Sequence, residues 1–144
     1  DPQRVIELIR VQPKVPRGVH WLGNMPSSVY ASLKAFHCPA SEEDCLVVMP
    51  ISEGWSNKVT GGYILTTNGM LLINDNGDRS HVPGTYMCMG WLVVPVIDIR
   101  SCRKVFATGV EWVLSDKTTF RTGLDSGDLY FVFTSCIRPS ILAT

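Results

Sequence analysis

The sequence has no surplus of charge of either sign. Thirteen basic side chains stand against thirteen acidic ones, so no overall field draws the chain onto nucleic acid or an anionic lipid surface. A long uninterrupted apolar run is also missing. The longest stretch without Asp, Glu, Lys or Arg, Ser80 to Ile97, is broken by His81, Pro83, Gly84, Gly90 and Pro95, which argues against a membrane-spanning helix there. The opening residues from Asp1 carry neither a basic n-region nor an apolar h-region, so no signal peptide is expected within them.

The patterns that carry cofactor and metal chemistry are absent too. There is no Gly-x-Gly-x-x-Gly and no Gly-Lys-Ser/Thr, so no phosphate-cradling turn supports a nucleotide, and no cofactor is expected. No CxxC, HxxxH or HxH occurs. The nearest approach to a zinc set, His37-Cys38 with Cys45, is incomplete, and no metal is expected. Asn74-Asp75-Asn76-Gly77-Asp78 offers the oxygen donors that calcium prefers, although turn chemistry alone accounts for those residue types.

Catalysis has equally little to rest on. Ser27 and Ser80 lie in no strained Gly-x-Ser-x-Gly elbow. His37 and Cys38 are adjacent, and neighbours in an extended chain face opposite ways. The expectation is a protein that is not an enzyme. Nucleic acid is not an expected partner either, because the densest basic group, Arg100, Arg103 and Lys104, fits the solvated edge of a strand.

What is present belongs to a globular chain: 45% hydrophobic and 18% charged residues over 144 positions, consistent with one β-rich domain spanning 1–144. Five cysteines cannot all pair internally. Cys88 and Cys136 sit in apolar runs that suit buried thiols. Cys38 and Cys45, flanking the acidic loop 39–44, are the two placed to bridge.

Val5 to Val11 leaves strand and short helix open, and Pro13 and Pro16 end it. Ser28 to Phe36 reads as a short helix, with a capping hydroxyl at Ser28 and Val29, Leu33 and Phe36 at helical spacing. Strands follow at Cys45 to Ile51 and on both sides of Asn68-Gly69. That dipeptide predicts a two-residue type I′ turn with Thr67 facing Met70, Leu65 facing Leu72 and Ile64 facing Ile73. Both faces of this hairpin are apolar, so both are expected to be covered.

Asn76-Gly77 predicts another turn, leading into Thr85 to Ile99, where Pro95 points to an edge strand or a bulge. Short strands are expected at Lys104 to Ala107, Val110 to Leu114 and Thr118 to Arg121, and a last one at Asp128 to Ile137. Trp21, Trp91 and Trp112 have apolar neighbours and read as core. The fold expected is all-β: an antiparallel β-sandwich (jelly-roll-like) or barrel with one short helix.

The final segment, Gly127-Asp128-Leu129-Tyr130-Phe131-Val132-Phe133-Thr134-Ser135-Cys136-Ile137-Arg138-Pro139, resembles the last strand of the jelly-roll coat proteins of small icosahedral RNA plant viruses. Gly127, Leu129, Tyr130, Phe133, Ile137 and Pro139 are the matching positions. The resemblance implies a structural role in a virion, reached by self-association into a homo-oligomer and binding of partners.

The alternatives are a lectin-like domain, which would bind a glycan or protein receptor, and a small hydrolase. For the lectin the ligand-binding candidates are Trp55, Asn57 and Lys58, in a loop where an aromatic ring stands among hydrogen-bonding side chains, with Asp75 and Asp78 beside them. Trp55 could equally fold back into the core.

Overall fold

Successive side chains of a strand point to opposite faces, and here both faces of the main sheet find a cover. Val47, Met49, Tyr63, Leu65, Leu71, Ile73, Leu92 and Val94 enter one buried cluster, whereas Cys45, Val48, Ile64, Leu72, Trp91 and Val93 enter another on the opposite side. The computed structural model describes residues 2–52, 58–75, 86–105, 109–123 and 126–142.

Within them the chain runs α1 (Pro2–Arg10), β1 (His20–Trp21), α2 (Ser27–Lys34), β2 (Cys45–Ser52), β3 (Val59–Thr66), β4 (Met70–Asn74), β5 (Tyr86–Cys88) and β6 (Trp91–Pro95). Then come β7 (Ile99–Val105), β8 (Gly109–Leu114), β9 (Thr119–Thr122) and a C-terminal helical run. Six strands form one sheet in the order β1-β2-β3-β4-β6-β5, three form a second in the order β7-β8-β9, and all the pairings are antiparallel. The expected mainly β, antiparallel architecture is therefore present. No helix among the described residues is long and apolar enough to cross a membrane.

The larger cluster lies between the six-stranded sheet and three other elements. Val5, Ile6 and Ile9 come from α1, Val110, Trp112, Leu114 and Phe120 from the small sheet, and Leu129, Val132, Phe133, Cys136 and Ile137 from the C-terminus. On the other face Leu33 of α2 is fully buried, with Val29, Tyr30 and Phe36 packed around it. A Cβ on Gly62 would stand 2.9 Å from the Leu33 side chain, so the bare backbone there gives α2 its seat.

The helix expected at Ser28 to Phe36 forms at Ser27–Lys34. Its N-cap is Pro26, without a side-chain cap, so the capping expected of Ser28 does not occur.

The strand expected at Asp128 to Ile137 is helical instead: α3 (Gly127–Val132), a π-helical segment (Phe133–Ile137) and α4 (Arg138–Leu142) follow without a break. Leu129, Val132, Phe133, Cys136 and Ile137, all buried, recur at the spacing of one helix face. The π segment closes with the Arg138 amide bonded to the Phe133 carbonyl, five residues back, and Pro139 follows in the first turn of α4.

Two turns also depart from expectation. Thr66 directly precedes a three-residue loop in which the Gly69 amide bonds to the Thr66 carbonyl at 3.1 Å and Gly69 takes φ +84°, a type I turn closed by a left-handed glycine. Leu65 therefore faces Leu71, Ile64 faces Leu72 and Tyr63 faces Ile73, one residue away from the expected register. The two-residue type I′ geometry is found at Met89-Gly90, where φ is 52° and 91° and Cys88 pairs with Trp91.

That hairpin divides the expected Thr85 to Ile99 strand. Pro95 ends β6 opposite Met70, and among the described residues β5 pairs with β6 only as far as Val93, so Pro95 has a described strand on one side alone, a position where its missing N–H is tolerated. The strand expected at Lys104 to Ala107 runs as Ile99–Val105, and residues 106–108 lie outside the described residues. So does the turn expected at Asn76-Gly77.

Candidate functional site

Five separate segments meet around a cleft of about 440 Å³, with β2 contributing Leu46. The start of α1 supplies Pro2 and Val5, the β3–β4 hairpin supplies Leu65 to Met70, the turn after β6 supplies Val96 and Ile97, and the C-terminal helix supplies Ile137, Ser140 and Ile141. None of the lining residues among those described is charged. The floor is core material: Val5, Leu46, Leu65, Val96 and Ile137 are all buried. The rim differs, because Ile97 is 80% exposed and Ile141 is 41% exposed.

Several polar groups in the cleft are already engaged. The Ser140 hydroxyl donates to the Ile137 carbonyl at 2.6 Å. The Thr66 hydroxyl bonds to Asn68 and accepts the Met70 amide at 3.0 Å. An apolar concavity with few free polar groups suits a hydrophobic side chain or an apolar ligand. Sequence reasoning missed it because its walls are far apart along the chain, and the exposed Ile97 directly after Pro95-Val96 was the available signal.

Of the candidates for the lectin-like reading, Trp55, Asn57 and Asp78 lie outside the described residues, and Lys58 is exposed just before β3. Asp75 faces the protein: its carboxylate accepts the Tyr63 hydroxyl at 2.8 Å and the Gly123 amide at 3.0 Å. It thus ties the large sheet to the end of β9. Asp75→Ala removes this shared acceptor and is expected to lower unfolding free energy by about 1–3 kcal/mol, read by urea denaturation with an unchanged m-value. Full stability in that variant would dismiss the tie.

The basic group at β7 is partly engaged within the chain. Arg103 bonds to Glu111 at 2.9 Å, and Arg121 approaches the same carboxylate at 3.6 Å from the other side, which holds Glu111 below the usual carboxylate range, chiefly through the Arg103 hydrogen bond. Lys104 lies 5.0 Å from the centre of the Tyr130 ring, a cation–π distance. Arg100 is exposed.

All five cysteines are free. Cys136 is buried, as its apolar run suggested, and Cys88 is half-buried. Trp91 and Trp112 are fully buried, while Trp21 is half-buried against the larger cluster. His20 pairs with Val48 on β1, where burial lowers its pKa. Among the described residues, no three His, Cys, Asp or Glu side chains gather closely enough to hold a metal ion.

Compared with known proteins, the chain matches no family model, no curated protein and no solved structure at a significant level.

Proposed function

We propose that this protein is a non-enzymatic association domain that works by binding copies of itself or a protein partner through the uncharged cleft. The observation that carries this reading is the exposed Ile97 at the mouth of a cleft that has no charged lining residue among the described ones. Depletion of charge around an apolar centre is the composition of an interface core. Zero net charge also leaves no long-range repulsion between copies.

Assembly into a virion is a narrower form of the same proposal. The segment that resembles a coat-protein strand is helical, so support for this form comes from the cleft and the neutral charge alone.

Size-exclusion chromatography with light scattering over a concentration series tests the reading. The wild-type chain is expected to associate, and Ile97→Asp, which places a charge at the rim, is expected to weaken association by about tenfold or more. Because Ile97 is exposed, the variant should fold normally. A wild-type chain that stays monomeric at the highest concentration, and for which Ile97→Asp changes nothing, would count decisively against self-association.

A further inference from the structure

The sulfur chemistry near α2 is independent of the cleft. After Lys34 the chain reverses through His37, which takes φ 58°, and a short 3-10 turn at Glu42–Asp44 returns it to β2. Two hydrogen bonds pin this excursion: the Trp91 indole N–H donates to the Phe36 carbonyl at 2.8 Å, and the Tyr30 hydroxyl donates to the Ala40 carbonyl at 2.9 Å.

The fold-back brings Cys38 and Cys45 together in the smaller cluster. Each thiol donates to a loop carbonyl, Cys38 to that of Ala40 at 3.5 Å and Cys45 to that of Ser41 at 3.3 Å, and these two carbonyls are consecutive along the chain. Cys45 is fully buried, whereas Cys38 is half-exposed.

From this geometry we infer that Cys38 and Cys45 are a redox pair, closed to a disulfide by small-molecule disulfides and reopened by thiols, which fastens the loop after α2 to the first residue of β2. The asymmetry of the pair sets the order of events. The neighbouring Cys45 thiol holds the Cys38 thiol below its ordinary pKa, and Cys45 is pushed up by the presence of Cys38 and by burial. Cys38, the accessible and more acidic thiol, is the entry point.

The Cys38 thiolate attacks one sulfur of the small disulfide, forming a mixed disulfide and releasing one small thiolate. Cys45 then attacks the Cys38 sulfur, and a second small thiolate leaves. The two protein thiols lose two electrons to the small disulfide, and their two protons end on the two released thiols.

The test uses the full reduced chain and glutathione disulfide. Trypsin leaves both cysteines in one peptide, Ala35 to Lys58, so the expected result is a loss of about 2 Da in that peptide alone. Oxidation is also expected to raise Tm by on the order of 5–10 °C. Cys45→Ala should stall with glutathione attached to Cys38, and Cys38→Ala should leave Cys45 unreacted. The peptide mass in the wild-type chain gives the answer even if either variant folds poorly. Separate glutathione caps on both thiols, a disulfide to Cys88, Cys102 or Cys136, or an unchanged Tm after closure would overturn the inference.

Discussion

Trp112→Ala is expected to lower the unfolding free energy by about 3–5 kcal/mol, the range for deleting a large buried aromatic ring. Trp112 is fully buried on β8, and its contacts run in three directions. Its indole N–H donates to the Thr122 hydroxyl on β9 at 2.9 Å. Its ring lies nearly parallel to that of Phe120, 6.3 Å between centroids, and meets Phe133 edge-on at 5.2 Å. One side chain therefore holds the small sheet together and docks the C-terminal helix on it. Domains of this size are stable by about 5–15 kcal/mol, so the loss is a large share of the total. Trp112→Phe keeps most of the ring but drops the bond to Thr122, and should cost less. Urea denaturation of both variants decides the matter, and a loss below about 1 kcal/mol for the alanine variant would remove Trp112 from this role.

The helical C-terminus that Trp112 meets shows where sequence reading went astray. Leu129-Tyr130-Phe131-Val132-Phe133 is rich in residues favoured in strands, and that preference suggested an extended segment. The period pointed elsewhere, because Leu129, Val132, Phe133, Cys136 and Ile137 trace a helical stripe, and all five are buried. At the hairpin the reverse holds. The apolar runs on either side of Asn68-Gly69 did identify β3 and β4, and because they placed apolar side chains on both faces they correctly implied cover on both. The register did not follow, since the Thr66 hydroxyl, bonded to Asn68 and to the Met70 amide, spans a three-residue loop whose only left-handed residue is Gly69.

The candidate sites divide in the same way. The proposed redox pairing of Cys38 with Cys45 builds on a feature already present in the sequence, two cysteines flanking a short acidic loop. The cleft was not visible there, because it exists only once α1, β2, the β3–β4 hairpin, the turn after β6 and the C-terminal helix have packed together. Asp75 was noticed for its turn-forming neighbours, but its partners, Tyr63 and the Gly123 amide, are set by the docking of one sheet on the other.

That docking is also the target of Gly109→Ala, for which a loss of about 3 kcal/mol or more is expected. Gly109 opens β8 with φ +110°, a conformation that side-chain-bearing residues adopt only at a cost of about 1–3 kcal/mol. An added Cβ would stand 1.9 Å from the Thr122 carbonyl oxygen and 2.6 Å from that of Gly123. Both obstacles are backbone, so the end of β9 has to move, at a further cost of about 1–3 kcal/mol. Thr122 receives the Trp112 N–H, and the Gly123 amide donates to Asp75, so the displacement disturbs the tie between the sheets as well. The effect of Gly109→Ala should therefore combine with that of Asp75→Ala less than additively. Gly127→Ala is the matched control: nothing lies within 4 Å of its added Cβ and its φ is ordinary, so its stability should stay within about 0.5 kcal/mol of the wild type. Equal losses from the two glycine substitutions would mean that neither the clash at Thr122 nor the positive φ controls how the small sheet is held.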